Sequence, residues 1–125
     1  MKKTLLGALV LALIPQIACH GSPFDSAIKE NIALVDDMAE VLESVKDAAS
    51  ANAAVPRLQA LQERRDALRR RMENMPRSPE QQSRAAQNHQ AEMQAALSRM
   101  STQTSRIASI PGGITAIKAM RPSGR

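Results

Sequence analysis

The chain has 125 residues, with one Phe and neither Trp nor Tyr, which leaves room for one small domain. Its apolar content comes from Ala, Leu, Ile, Val and Met, side chains that suit helix–helix packing better than sheet packing. The single Cys excludes an intramolecular disulfide and any cluster of cysteines around a metal, and the formal net charge of +5, or +3 without Lys2 and Lys3, is a mild surplus and weak evidence for a nucleic-acid or membrane-surface partner.

Met1-Lys2-Lys3 is a basic start, and Thr4 to Ile14 carries no charge before Pro15 interrupts it. The run is shorter than the roughly 20 residues a helix needs to span a bilayer. Residues 1–18 are therefore expected to be a signal peptide. Gln16-Ile17-Ala18-Cys19 resembles the lipobox of bacterial lipoproteins, with a small residue just before the cysteine, although Gln16 stands where that motif usually has an aliphatic residue. The resemblance implies transfer of a diacylglyceryl group to the Cys19 sulfur, cleavage before Cys19 and acylation of the new amino group. Cysteine serves because its thiolate is a strong nucleophile, and two or more acyl chains hold a protein on a membrane where one barely does. The competing reading is a soluble periplasmic or secreted protein cut by the ordinary signal peptidase, with Cys19 incidental. His20, not Asp, follows Cys19, which tilts a lipoprotein of a double-membrane bacterium toward the outer membrane, facing the periplasm.

Residues 19–23 read as a tether, 24–110 as a helical bundle domain, and 111–125 as a short amphipathic helix with a loose tail. The first segment, from about Phe24 to Ser50, carries two adjacent seams. Ile32, Val35, Ala39 and Leu42 form one, and Leu34, Met38, Val41, Val45 and Ala48 the other, together a wide apolar face. Ser50 to Val55 reads as the connection, with Pro56 in the first turn of the next helix. That helix runs to about Met75 on a heptad of Leu58, Leu61, Leu68, Met72 and Met75, with Arg65 at the interrupted position. Ser78, Pro79 and Gln81 look like an N-cap, a first helical residue and a capping-box partner. The third stripe is Ala86, His89, Met93, Ala96 or Leu97, Met100 and Ile107. Ser101 to Ser105 is a poor helical stretch, because hydroxyls compete for backbone hydrogen bonds, so 79–110 reads as one helix or two. Pro111-Gly112-Gly113 is a firm break, and Ile114, Ile117 and Met120 can line one short helix.

The expected fold is all-α, an antiparallel helical hairpin or an elongated three-helix bundle. Charge supports a pairing of unlike helices. Between Cys19 and Val55 there are 2 basic and 7 acidic residues, and between Pro56 and Pro79 there are 7 and 3.

Arg64, Arg65, Arg69, Arg70 and Arg71 form the strongest charge feature. They are a candidate surface for anions or for a partner, set against a solvated or inter-helix reading, since Asp66 precedes Arg70 and Arg69 precedes Glu73 by four. No aromatic residue stands among them to stack a base. The methionines fall at core spacing, which favours gap filling over copper binding. His89 and the distant His20 do not make a zinc site, and His89 reads as partly buried and hydrogen-bonded. No metal, no other cofactor and no catalytic constellation is legible, so the chain is not expected to be an enzyme.

The stretch Val35 to Ser50, followed by Ala53-Ala54-Val55-Pro56-Arg57-Leu58-Gln59-Ala60-Leu61, resembles a group of small, uncharacterised, exported helical proteins of bacteria. They share an acidic first helix and a Pro-basic-Leu start to the second, so the resemblance implies a helical hairpin and brings no activity. The expected function is that of a non-enzymatic, membrane-tethered helical protein of the envelope. It would present a charged surface to a protein partner or to itself. A small-ligand or metal-responsive binder, or a helical stress chaperone, is the alternative, although the Leu-Thr-x-x-Gln repeats of such chaperones are missing.

Overall fold

A computed structural model describes residues 22–122. The expected signal peptide, Cys19 and residues 123–125 of the tail lie outside the described residues. Four helices follow one another: α1 (Pro23–Glu43), α2 (Ala48–Glu73), α3 (Pro79–Ile107) and α4 (Gly113–Lys118). The chain folds as an all-α bundle of three long helices with a short fourth.

Each boundary has a local cause. The Ser22 hydroxyl accepts the Asp25 N–H at 3.1 Å, and Pro23 opens α1 where its missing N–H costs nothing. The first expected segment is shortened, because α1 stops at Glu43 and not near Ser50. Asp47 is extended, and its carboxylate accepts from the Ser50 N–H while the Ser50 hydroxyl faces the Asp47 N–H, a reciprocal capping box. Residues 50–55, expected as the connection, are thus the opening turns of α2. Pro56, expected in the first turn, lies inside α2 instead. The lengths reverse accordingly: at 1.5 Å per residue α1 is about 32 Å and α2 about 39 Å. Ser78 and Gln81 form the capping box of α3 as expected. α3 is one helix through Ser101 to Ser105, where the Thr104 hydroxyl donates to the Met100 carbonyl at 2.8 Å and stays within the helical pattern.

α1 is the central element. It packs on α2 and on α3, while among the described residues α2 and α3 meet only through side chains of a cluster at one end. The pairs Glu30 with Arg71, Asp25 with His89 and Glu43 with Arg99 show that α2 runs antiparallel to α1, whereas α3 runs parallel to it. The two apolar seams of α1 account for this. Leu34 meets Leu68 with Leu61 and Met72 around it, on the α2 side. Ile32 and Val35 meet Ala96 with Met93 and Met100, on the α3 side. At the far end all four helices share one cluster, in which Met38, Leu42, Leu58, Ile107 and Ala116 are buried. Each large side chain fully removed from water there contributes about 1.5–3 kcal/mol.

α4 closes this cluster. Gly112 adopts a left-handed backbone at φ +83°, which glycine enters without penalty. A Cβ on Gly113 would overlap the Ile107 carbonyl oxygen, so only glycine lets α4 fold back onto the end of α3. The face of α4 differs from the expected one. Ile114 is exposed, while Ala116 is buried and Ile117 and Met120 pack on the cluster.

Candidate functional site

The arginine cluster divides around α2, because five residues spread over two turns cannot share one face. Arg57, Arg64 and Arg71 are seven apart and lie along the acidic edge of α1. At one end of this row the Arg71 guanidinium donates to Glu30 at 2.7 Å. Further along, Arg57 and Arg64 face Asp37 and Glu40 across a shallow cleft floored by Val41, Ala60 and Leu61. On the other edge Arg65 donates to the Asn31 side chain at 3.2 Å. Arg69 donates to Glu73 at 3.0 Å and lies 3.9 Å from Asp66. Arg70 is exposed. Of the five, Arg65 and Arg71 bind α1 and Arg69 is paired within α2.

A second charged system joins α3 to α1, and it was not singled out from the sequence. Arg99 forks onto Glu43, with Nε at 2.7 Å and Nη2 at 2.8 Å, and its Nη1 lies 3.5 Å from Asp36. This fork holds the Glu43 carboxyl below the usual range. Two turns on, Arg106 donates to the carbonyls of Val45 and Leu42, each at 2.9 Å. The Leu42 carbonyl also accepts the Val45 N–H at 3.0 Å, and the guanidinium bridges the two carbonyls at this end of α1 while countering the helix dipole. Exposed Arg residues in a helix carry no sequence mark of such a role.

His89 is buried, with its side chain 8% exposed, and each ring nitrogen meets a carboxylate. Nε2 lies 2.9 Å from Asp25 Oδ1 on α1, and Nδ1 lies 3.0 Å from Glu92 Oε1 on α3. The hydrogen bonds from Glu92 and then Asp25 raise its pKa above the ordinary histidine value, against the effect of burial. The two carboxylates occupy opposite sides of the ring, so they do not converge on one point. Among the described residues no group of three His, Cys, Asp or Glu is arranged to hold a metal. The methionines fill gaps in all three clusters.

On the far side of α2, Gln62 and Asp66 are buried, and the Gln62 amide donates to Asp66 at 2.9 Å. With Asn31, Arg65, Arg69, Met72 and Pro122 they line a cleft of about 330 Å³. The heptad reading passed over both residues because it followed apolar side chains only. Among the described residues no helix is long and apolar enough to cross a membrane.

Compared with protein-family models, with curated proteins and with solved structures, the chain has no match in any of the three.

Proposed function

We propose that the protein is a non-enzymatic lipoprotein of a bacterial envelope that presents a charged helical surface to a protein partner or to a second copy. In this reading residues 1–18 are removed, Cys19 carries the lipid, and the chain is akin to the small exported helical proteins it resembles. Ser22 caps α1 only three residues after Cys19, a reach of at most about 10 Å. An acyl group on Cys19 therefore belongs at the end of the bundle where α1 and α3 begin and α2 ends. Residues 44–47 and α4 then lie at the end away from the bilayer.

The observation that carries the partner surface is the α1–α2 cleft. Arg57, Arg64, Asp37 and Glu40 surround Leu61 and Val41, with Glu40 also within electrostatic reach of Arg99. An apolar centre with an open charged rim is the anatomy of a modest protein interface. A photo-crosslinker at Ala60 tests it in intact cells. A discrete crosslinked species, lost when Arg57 and Arg64 are replaced by Glu, is expected; monomer alone counts against the reading. Lipid labelling of wild type against Cys19→Ser tests the anchor, and equal labelling removes it.

A small-ligand binder is the second reading, favoured by the cleft around buried Gln62 and Asp66. Titration of the purified protein with copper(I), zinc and an unfolded client discriminates, since the first reading expects no saturable binding of any of them.

A further inference from the structure

We propose that His89 is a pH-sensitive latch that clamps the first half of α3 to the tether-proximal end of α1 when protonated and loosens it when neutral. The argument begins with donors and acceptors. A carboxylate only accepts, and a neutral imidazole has one N–H. Carboxylate oxygens at 2.9 and 3.0 Å on the two ring nitrogens are both satisfied only by the imidazolium. On loss of a proton the ring keeps one N–H for two carboxylates, and since Glu92 is 65% exposed and turns to water, the contact with Asp25 across the helices falls from an ion pair to a neutral hydrogen bond.

Among the described residues, the charged groups acting on the ring are Asp25 from α1 and Glu92 on α3 itself. α2 and α4 meet α3 only in the shared cluster at the opposite end. No cation from a neighbouring helix takes over when the ring loses its charge. The latch also has little behind it. From Pro79 to Gln90 the only other buried residue of α3 is Ala85, so this half of the helix is held by few apolar contacts. Its loosening widens an apolar cleft of about 260 Å³ beside the ring, lined by Ile28, Ala85, Ala86 and Met93. The second half is held independently by the Glu43–Arg99 fork, Arg106 and Ile107.

The sign follows from linkage. The folded pKa lies above the unfolded value of about 6.5, so the stabilisation is complete below that pH and is lost as pH rises through the folded value. The test uses the full chain in mild detergent. Long-range ¹H–¹⁵N spectra follow the His89 ring from pH 5 to 9, and amide exchange, corrected for intrinsic rate, compares residues 79–93 with 101–107. The expected result is an imidazolium that persists above pH 6.5. Protection of 79–93 should then fall about tenfold for each unit separating the folded and unfolded pKa values, with 101–107 unchanged. His89→Gln should abolish this pH dependence, and Asp25→Asn should move both the ring titration and the loss of protection to lower pH. A ring already neutral at pH 6, an unmoved titration in Asp25→Asn, or the same pH-dependent loss in His89→Gln would each overturn the proposal.

Discussion

At the scale of single residues, the bundle is held in register by side chains that bond backbone ends. Asp47 is the clearest case. Its carboxylate accepts from the Ser50 N–H at 2.9 Å and from the Ser50 hydroxyl at 2.8 Å, and these bonds lower its pKa from the usual 3.8. A carboxyl with a depressed folded pKa stabilises the fold above its unfolded value and ceases to do so as pH falls through the folded one. Asp47→Ala is therefore expected to unfold more readily than wild type at pH 7, with the gap closing below about pH 3.8; urea titrations at both pH values check this. Arg106 makes a second such case, at the end of α1. Arg106→Met takes the guanidinium from both carbonyls, leaving Leu42 with the Val45 N–H, and should cost about 1 kcal/mol, read from the shift in urea midpoint at constant slope.

At the scale of elements, two backbone positions carry opposite expectations. Pro56 stands inside α2 with its ring exposed, where it removes the hydrogen bond to the Asn52 carbonyl. Pro56→Ala should restore that bond and raise stability by about 1–2 kcal/mol, less than the full penalty because proline also restricts the unfolded chain. Gly113→Ala should do the reverse. Its methyl meets the Ile107 carbonyl, and the fold loses about 1–3 kcal/mol as α4 is pushed off the cluster. Faster amide exchange confined to residues 113–118 and their contacts is the signature to look for.

The same two elements show what a sequence makes legible. Apolar periodicity found three long helices and both seams of α1, because burial must repeat every three to four residues whatever the partner. The Ser78–Gln81 box was legible because a proline sits inside it. The Asp47–Ser50 box was not, since Pro56 offered a competing helix start further on, and proline is tolerated inside α2 only because its ring faces solvent. Arg65 interrupts the heptad because it reaches Asn31. His89 was expected to be hydrogen-bonded, and Glu92 was within view at a spacing of three. Asp25, 64 residues away, was not, because nothing local sets α3 parallel to α1.

On the scale of the whole molecule, α1 is a spine that binds a helix on each side, and charge pairs guide which side each takes. Exposed pairs of this kind contribute roughly 0–1 kcal/mol each, so stability rests on the shared apolar cluster. Leu58→Ala, at a fully buried position where α2 joins that cluster, should cost about 2–5 kcal/mol and lower the thermal midpoint of all helices together. Separate melting of α3 would instead divide the bundle into independent units.

The proposed orientation of this spine depends on what happens at Cys19. Mass analysis of the mature N-terminus, on protein recovered from fractionated cells, addresses that directly. The account predicts a membrane-fraction species that begins at Cys19 and carries the mass of attached acyl chains. A soluble product that retains Met1, or one that begins beyond Cys19, would contradict it.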